Sequence, residues 1–384
     1  MPNFSGVWNL KDQVQAIAAG RWTGLPTFEL YAWGGNPNGQ IGDNTIVYRS
    51  SPVQIGNLAT WSQVAVGDRL SVSTKKDGTL WSWGRNNHGQ IGDNTVVYRS
   101  SPVQIGALTN WSQVSAGDFH TASTKTDGTL WSWGRNNSGQ LGAGTVVSRS
   151  SPAQIGALTN WSKITSGYEF SSSIKSDGTL WSWGRNNYGG LGDNTIVSKS
   201  SPVQIGALTN WHQVDAGFDF TASVKTDGTL WTWGKGAEGR LGSGAIADRS
   251  SPVQVGALTD WSFVSAGAEF SSAVKTNGTL WAWGQNNNGQ LGDNTIIRRS
   301  SPVQIGVLTD WLQVAANGAT TLAVKTNGTL WSWGFGGSGI LGSDTIVRRS
   351  SPVQVGALNN WSKLAQGNTG TVPHILALLQ GSSS

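Results

Sequence analysis

The sequence contains no cysteine in 384 residues. Disulfides, thiolate zinc sites and a cysteine nucleophile are therefore excluded. Histidine is also scarce, and the four histidines are far apart in sequence: His88, His120, His212 and His374. No two of them have a spacing typical of metal ligands. The sequence thus predicts neither a metal site nor a cofactor.

Charge is the second scarce property, since charged residues make up 12% of the chain and the net charge is +5. So weak a basic bias makes nucleic acid an improbable partner. No apolar run approaches the length of a membrane span. The N-terminus also lacks the basic head and apolar core of a secretion signal. We expect a chain with no membrane span and no secretion signal.

Tryptophan, in contrast, is abundant with 22 copies, and all of them except Trp8 and Trp22 follow a repeat of 50 residues. The motif Thr-Leu-Trp-Ser-Trp-Gly at 129–134 recurs almost unchanged with the pairs Trp81/Trp83, Trp181/Trp183, Trp231/Trp233, Trp281/Trp283 and Trp331/Trp333. A degenerate copy stands at 30–34. A second series runs in step: Trp61, Trp111, Trp161, Trp211, Trp261, Trp311 and Trp361. Self-similarity at a fixed period indicates a repeat architecture.

Each repeat contains four short strand patterns, which we name A to D. In the repeat that begins at Trp111, the pattern predicts strands A at 111–117, B at 120–125, C at 129–134 and D at 152–155. The Asp127-Gly128 pair between B and C predicts a type I′ hairpin turn, with positive φ at both residues. Strand D begins with a proline, which cannot donate to a neighbouring strand and therefore suits an outer edge. The Ala116-Gly117 pair at the end of strand A fits a crowded central axis.

Four-stranded repeats of this length pack face to face around an axis as propeller blades. The A strands begin at Trp61 and end at Trp361, whereas the C strands begin at Leu30 and end at Leu330. The two chain ends must therefore complete one blade together. We predict an all-β, seven-bladed propeller of four-stranded antiparallel blades over residues 28–379, with a closing blade composed of both chain ends. Residues 1–27 form an N-terminal extension, and residues 380–384 are expected to be a disordered tail.

The run Gly139-Gln140-Leu141-Gly142 after Trp131-Ser132-Trp133-Gly134 resembles the regulator-of-chromosome-condensation repeat family. Val114-Ser115-Ala116-Gly117 and His120-Thr121 upstream belong to the same pattern. The resemblance implies seven blades, often with a composite closing blade. Its functions are diverse and include nucleotide exchange with chromatin binding, light sensing and enzyme inhibition. The family histidine after the A–B turn remains only as His120, which weakens the transfer of exchange activity.

The N-terminal extension resembles a short segment of bacteriophage structural proteins, in the run 5–13 and at Gly20-Arg21-Trp22. Asn9 is positioned to cap a helix over about 10–18. One interpretation is a plug packed on the propeller. The other is an attachment segment that binds neighbouring virion proteins. Its candidate contact residues are Val7, Trp8, Leu10, Val14, Ile17 and Trp22.

Nothing in the sequence forms a catalytic set, because each histidine occupies a different repeat position. The glycine-rich loops lack the Lys-Ser/Thr of a phosphate loop, and the Asp-Asn pairs in those loops fit turns better than calcium sites. One basic residue recurs in each blade: Arg49, Arg99, Arg149, Lys199, Arg249, Arg299 and Arg349. These seven residues either pair locally, each in its own blade, or together form a docking ring for an acidic or anionic partner. Local pairing is favoured.

Sequence differences between the repeats collect in the A–B turns and the C–D loops, which antiparallel alternation places at one end of the propeller. We call this end the variable face and the opposite end, formed by B–C turns and D–A connections, the uniform face. Aromatic and arginine side chains are typical of protein interfaces. The candidate binding residues are Tyr48, Arg69, Tyr98, Phe119, His120, Tyr168, Tyr188, Phe218, Arg298 and Arg348.

The sequence therefore predicts a non-enzymatic binding propeller that contacts a protein partner or a host-surface receptor. The expected setting is a bacteriophage particle, as a structural, decoration or fibre component, and otherwise the cytoplasm. The alternative is a soluble regulator or inhibitor of another protein, as in cellular members of the resembling family.

Overall fold

The structure is a computed structural model and describes residues 27–367 and 373–381. These residues form seven sheets, each with four antiparallel strands. In every sheet the strand order is A-B-C-D, as predicted. The seven-bladed propeller is thus confirmed, and we number the blades from the one that begins at Trp61.

The strand bounds repeat closely from blade to blade. In blades 1 to 7, strand A spans Trp61–Gly67, Trp111–Ala116, Trp161–Ser166, Trp211–Ala216, Trp261–Ala266, Trp311–Asn317 and Trp361–Leu364. Strand B spans Leu70–Lys75, His120–Lys125, Phe170–Lys175, Phe220–Lys225, Phe270–Lys275, Thr320–Lys325 and His374–Gln380.

The bounds of the outer two strands also repeat closely from blade to blade. In blades 1 to 7, strand C spans Leu80–Gly84, Leu130–Gly134, Leu180–Gly184, Leu230–Gly234, Leu280–Gly284, Leu330–Gly334 and Phe28–Gly34. Strand D spans Arg99–Gln104, Arg149–Gln154, Lys199–Gln204, Arg249–Gln254, Arg299–Gln304, Arg349–Gln354 and Arg49–Gln54. Two short 3-10 helices, Ala237–Gly239 and Gly337–Gly339, lie in the C–D loops of blades 4 and 6.

Strand A is the inner strand, because the A strands of adjacent blades contact one another around the axis. The glycines that follow them show how crowded this axis is. A Cβ added at Gly117 would lie 2.4 Å from the carbonyl oxygen of Gly167 in the next blade. Such a contact is far below van der Waals distance, so a larger residue would push the blades apart.

The closing blade contains strands from both chain ends, as predicted. Its strand C pairs with its strand B from Phe28↔Gln380 to Gly34↔His374. Gln380 therefore belongs to the sheet rather than to the predicted tail, because its amide also donates to the carbonyl of Asn360 at 2.8 Å. The proposed helix over 10–18 and the six attachment residues lie outside the described residues, as do residues 382–384.

The B–C turn differs from the predicted type I′ geometry. In blade 2, Gly128 has φ +75°, whereas Asp127 is not among the residues with positive φ. The amide of Gly128 donates to the carbonyl of Lys125, and Lys125 donates to Thr129. This is a three-residue loop that needs only one residue in the left-handed region. The Asp127 carboxylate accepts from the amide and hydroxyl of Thr129, and these bonds hold the aspartate outside that region.

Two strand bounds also differ from the sequence expectation. Strand D of blade 2 begins at Arg149 rather than at Pro152, because a bulge lets Arg149 pair with Gly134 before the proline is reached. The last A strand ends at Leu364, before residue 367, which corresponds to the predicted end of strand A at residue 117. Gln366 forms an isolated bridge with Ala65 of blade 1. The ring therefore closes through a bridge as well as through the composite sheet.

Tryptophan fills the spaces between the blades. Trp111 and Trp133 of blade 2 pack against Leu70, Val72 and Leu80 of blade 1. The indole nitrogen of Trp133 also donates to the carbonyl of Gln90 in the C–D loop of blade 1, at 3.0 Å. Each blade is thus fixed to the one before it by an apolar contact and a hydrogen bond.

Candidate protein-binding face

In five of the seven blades a buried asparagine holds the C–D loop of the variable face, whereas blades 4 and 6 have Gly236 and Gly336 at this position. In blade 1 the side-chain amide of Asn86 donates to the carbonyls of Thr95 and Val97, and its oxygen accepts from the amide of Ile91. Equivalent bonds occur at Asn36, Asn136, Asn186 and Asn286. A side chain that satisfies backbone groups across a loop fixes its conformation, so these loops form a preformed surface.

The recurring basic residues pair locally in four blades. Arg99 lies 2.6 Å from the carboxylate of Asp93, which sits in the same C–D loop. Equivalent pairs join Arg49 with Asp43, Lys199 with Asp193, and Arg299 with Asp293. Blades 2, 4 and 6 lack that aspartate, and Arg149, Arg249 and Arg349 are exposed there. Because most of the charges are neutralised, a continuous basic docking ring does not form.

The A–B turns surround the mouth of the central axis on the variable face. Three of them carry an aromatic side chain, and these side chains meet. Phe119 lies edge-on to Tyr168, with 5.9 Å between ring centroids, and Tyr168 stacks on Phe218 at 4.2 Å. His88, from the C–D loop of blade 1, extends the row by an edge contact with Phe119 at 5.5 Å. We name these four residues the aromatic arc.

Arginines from the C–D loops cover the aromatic arc. The guanidinium groups of Arg85 and Arg135 each lie 5.1 Å from the ring centroid of Phe119. Arg185 lies 5.4 Å from that of Tyr168. Cations over ring faces at such distances are attracted to the ring quadrupole. The arc is therefore a surface of half-buried aromatic rings with arginines on top of them.

The same arginines neutralise carboxylates at the mouth. Arg85 lies 2.9 Å from Asp68, Arg135 lies 2.9 Å from Glu169, and Arg185 lies 3.6 Å from Asp219. In blade 5, the carboxylate of Glu269 pairs with the guanidinium group of the buried Arg240, with Nη2 2.9 Å from Oε1. Each of these acids therefore has a basic partner.

Asp118 differs from the other acids at the mouth. It is 3% exposed, and no hydrogen bond or ion pair to it occurs within residues 27–367 and 373–381. Burial raises the pKa of Asp118 well above its usual range. The carboxylates of Asp68, Glu169 and Asp219 raise this pKa further, while Arg85 opposes them. Among the acids that the structure describes at the mouth, this carboxyl group is the one without a basic group in direct contact.

His120 does not belong to the variable face, contrary to the sequence expectation. It is fully buried, and its Nε2 lies 2.8 Å from the hydroxyl of Ser171 in blade 3. His374 occupies the same place in the closing blade, with Nε2 2.7 Å from the hydroxyl of Ser71, so the histidine at this repeat position is not confined to His120 as expected from the sequence. The first residue of strand B points between two blades, so His120 replaces the phenylalanine found there in blades 3 to 5.

The other candidate residues are distributed more widely than the arc. Arg69 lies at the mouth, 3.8 Å from Asp68 and 3.4 Å from the side-chain oxygen of Asn38. The remaining candidates lie in the C–D loops, at residues Tyr48, Tyr98, Tyr188, Arg298 and Arg348. Tyr48 and Tyr98 are 47% and 44% exposed. The structure therefore brings only Arg69, Phe119, Tyr168 and Phe218 together at the mouth.

Sequence reasoning missed the arginines and the histidine that complete the arc. Arg85, Arg135 and Arg185 directly follow the Trp-Gly pair that is repeated at the end of each strand C, so the sequence around them offers no reason to separate them from a uniform loop. The signal lay in the later blades, where Gln285 and Phe335 occupy the same position. A repeat position that is basic only in blades 1 to 4 marks the half of the ring that carries the arc.

A polar cavity of about 290 Å³ lies on the axis and is lined by the A strands. Asp215 in its wall is fully buried and accepts hydrogen bonds from the hydroxyls of Thr165 and Ser265 and from the amides of Ala216 and Ala266. Burial raises the pKa of Asp215 to about 6, although these hydrogen bonds oppose the shift. Asp215 thereby links blades 3, 4 and 5 at the axis.

Within the described parts of the chain, no group of three or more histidine or acidic side chains is arranged to hold a metal ion. The same residues include no helix that is long and apolar enough to cross a membrane.

Solved structures with the same fold confirm the architecture. Human WBSCR16 is 19% identical, with a TM-score of 0.83 over 92% of this chain and 99% of its own. Yeast RCC1 (Prp20) bound to Kap60 is 18% identical, with a TM-score of 0.81 over 93% and 90%. Prp20p from Saccharomyces cerevisiae, whose binding to Gsp1p and histones was studied with its structure, is 18% identical, with a TM-score of 0.81 over 94% and 93%. At these identities the likeness shows the fold alone.

A comparison with curated protein sequences gives no match. Comparison with protein families is more informative, because the RCC1-like domain matches residues 2–271. The regulator of chromosome condensation (RCC1) repeat matches residues 277–324 and 327–372, and a second form of that repeat matches residues 261–290. Together with the seven composite-closed blades, these matches show that the chain belongs to the RCC1-like domain family.

Proposed function

We propose that this protein is a non-catalytic binding propeller that recognises a protein partner with its variable face. The observation that carries the proposal is the aromatic arc with its arginines. Aromatic residues and arginine dominate the energetic centres of protein interfaces. In this face the rings are half-buried and held by each other, so binding requires little further ordering of side chains.

The arc occupies only half of the ring, which argues for a role beyond folding. The A–B turns of blades 5 and 6 carry Ala268 and the pair Gly318-Ala319 in place of aromatic residues. Those blades form the same four strands in the same register. Since the fold does not need aromatic turns, their presence in blades 2 to 4 supports recognition of an asymmetric partner.

The test is truncation of the arc. In a variant with Phe119→Ala, Tyr168→Ala and Phe218→Ala, affinity for the partner is expected to fall at least about tenfold, or about 1.4 kcal/mol. The wild-type chain and the variant are used as baits in parallel, and a protein enriched only by wild type is purified. Its dissociation constant is then measured by calorimetry with both chains.

The matched control removes three exposed apolar residues from the uniform face, through Leu108→Ala, Leu158→Ala and Leu208→Ala. These leucines are about half exposed, at 49%, 50% and 49%. The control should bind like wild type. Equal binding by the arc variant, or a loss confined to the control, contradicts the assignment of the face.

We further propose, from the resemblance of residues 5–22 to phage structural proteins, that the propeller is a virion component attached through its N-terminal extension. One geometric feature supports this. The amide of Gly381 donates to the carbonyl of Thr27 at 2.9 Å, and the amide of Phe28 donates to Ala59 in a D–A connection. Residue 27 therefore lies on the uniform face, and attachment there leaves the variable face free for a neighbouring protein or a host receptor.

Deletion of residues 1–26 tests this setting. The propeller is expected to keep its melting temperature, because all seven blades remain, whereas incorporation into the particle is expected to be lost. Incorporation is measured by quantitative mass spectrometry of purified particles, with the arc variant as the control that should still be incorporated. Normal incorporation of the shortened chain rejects the anchor and leaves the interpretation as a plug.

The alternative is a soluble regulator or inhibitor of another protein. The observation in its favour is family membership, together with the complex of Kap60 with yeast RCC1 (Prp20). This alternative also uses the variable face but needs no particle. It is favoured if the partner isolated with the arc test is a cellular enzyme or GTPase rather than a virion or host-surface protein.

A further inference from the structure

An open cavity of about 680 Å³ lies on the uniform face, between blade 6 and the closing blade. Blade 6 contributes Leu312 and the B–C turn 326–328, and the closing blade contributes Trp361, Gln380 and Gly381. We name this cavity the end slot. In the closing blade the two chain ends stand where the other six blades have a B–C turn. The end slot therefore lies beside the point where the chain enters the propeller.

Leu312 gives the end slot an exposed apolar wall. It is the second residue of strand A in blade 6 and is 56% exposed. The equivalent residues of the other blades are His212 and five serines: Ser62, Ser112, Ser162, Ser262 and Ser362. Strand A forms in all seven blades, so folding does not require a leucine at this position. The leucine therefore indicates a contact outside the seven sheets.

The chain passes closely over the edge of the end slot. The amide of Gly381 donates to the carbonyl of Thr27 at 2.9 Å. A Cβ added at Gly381 would lie 2.5 Å from the hydroxyl oxygen of Thr27. An extended chain spans at most about 3.3–3.6 Å per residue, so residue 25 lies within about 7 Å of Thr27 and residue 22 within about 18 Å. Both Leu25 and Trp22 can therefore reach the end slot.

The end slot is also the more apolar side of this chain entry. Both sides have the leucine of a D–A connection, since Leu58 before blade 1 is 51% exposed and Leu358 before the closing blade is 45% exposed. The slot side adds Leu312. On the blade 1 side the equivalent residue is Ser62, and its carbonyl accepts a hydrogen bond from the ammonium group of Lys363 at 2.8 Å. An apolar segment that precedes the propeller therefore buries more apolar surface in the end slot.

We propose that the end slot is the seat of the residues just before the propeller, with Trp22 and Leu25 packed against Leu312. Clefts of about 300–1,000 Å³ hold small organic molecules, so the slot has room for an indole ring. Tryptophan combines an apolar ring with an N–H donor, and it suits a cavity that has a leucine beside the amide groups of Asn359 and Asn360.

This inference goes beyond the proposed function, because it assigns Trp22 to a contact within the chain and leaves residues 5–17 for attachment. A seat in the end slot would set the direction in which those residues leave the uniform face. The contact holds with or without a particle.

Limited proteolysis of the 384-residue chain by trypsin tests the seat. Lys11 and Arg21 are the basic residues before the propeller, and Arg21 directly precedes Trp22. Trypsin needs an accessible segment around the bond that it cuts, so a seated Trp22 protects the bond after Arg21. Intact mass spectrometry follows both cuts, with the cut after Lys11 as the internal reference. Leu312→Ser is expected to raise the relative rate after Arg21 at least about tenfold.

The matched control is Val307→Ala. Both substitutions introduce the residue that most other repeats have, since alanine stands at the equivalent of Val307 in five other D–A connections. Both variants should therefore fold like wild type. Val307 is 86% exposed but does not line the end slot. Val307→Ala should leave the rate after Arg21 unchanged.

The outcomes separate this inference from the proposed function, because proteolysis needs neither a partner nor a particle. Equal rates after Arg21 in wild type and Leu312→Ser overturn the seat, as does the same acceleration in Val307→Ala. If Leu312→Ser accelerates the cut as expected but deletion of residues 1–26 does not affect incorporation, the seat stands and the anchor fails. If the rates are equal and the deletion still abolishes incorporation, the anchor stands and the seat fails.

Discussion

Deletion of residues 361–384 is expected to abolish the folded propeller. The deletion removes strands A and B of the closing blade and leaves its strand C without the partner that pairs with it from Phe28 to Gly34. It also removes Ile375, Leu376 and Leu378, which are fully buried. Truncating one such side chain costs about 2–5 kcal/mol, and a typical domain has only about 5–15 kcal/mol in total.

Circular dichroism and size-exclusion chromatography measure this outcome. The shortened chain should be aggregated or lack a cooperative melting transition, because blades 1 and 6 lose their neighbour and open sheet edges pair with other chains. The control deletes only residues 382–384, which lie beyond the last described residue, and should melt like wild type. A monomeric chain with unchanged melting after the longer deletion would show that the composite blade does not close the ring.

Acidification is expected to destabilise the protein through two buried histidines. Burial lowers the pKa of His120 and of His374 to about 3. In each ring Nε2 lies next to a serine hydroxyl, whereas Nδ1 is buried without a partner. Protonation of Nδ1 would place a charged donor where no acceptor exists, so the neutral ring is the form that fits the fold.

The direction of the effect follows from linkage. The pKa of each histidine in the folded chain lies below its value of about 6.5 in the unfolded chain. The stability that these two neutral histidines contribute is fully present above about pH 6.5. It is lost progressively as the pH falls toward their pKa of about 3 in the folded chain. At about pH 4.5 the expected loss is roughly 2–3 kcal/mol for each histidine. Asp215 acts in the opposite direction, because its raised pKa makes the folded state more stable as the pH falls through about 6.

The double variant His120→Phe and His374→Phe isolates the histidine contribution. Phenylalanine occupies the equivalent position in blades 3 to 5, at Phe170, Phe220 and Phe270. The serines keep a partner, since Ser171 and Ser71 also donate to the carbonyls of Gln140 and Gln40. Urea titrations at about pH 7.5 and about pH 4.5 should show a loss of roughly 5 kcal/mol in wild type relative to the variant. Equal pH dependence of the two proteins contradicts the assignment.

Most of the architecture could be read from the sequence because each blade is built from local signals. The 50-residue period, the turns and the offset between the A and C strands specify how many sheets form and how the ring must close. These features depend on neighbouring residues and on the rule that strand edges need partners. The details that failed were also local, since the turn at Asp127-Gly128 and the start of strand D depend on single hydrogen bonds and a bulge.

The candidate site was harder to predict, because its residues are one repeat apart. Phe119, Tyr168 and Phe218 were recognised as face residues from the place where the repeats differ. Their stacking depends on the distance between adjacent A–B turns, which blade packing sets. Arg85, Arg135 and Arg185 were missed, because the sequence of a uniform loop does not show which A–B turn its side chains will contact.

The sequence by itself determined the number of blades, the strand order and the closure by both chain ends, because period and strand pairing are encoded locally. Only the tertiary structure decided which side chains meet across blades. It buried His120 between two sheets, paired Arg85, Arg135 and Arg185 with one acid each, and left Asp118 without a basic group in direct contact. The physical reason is that burial and charge pairing depend on distances between residues far apart in the chain, and packing around the axis sets those distances.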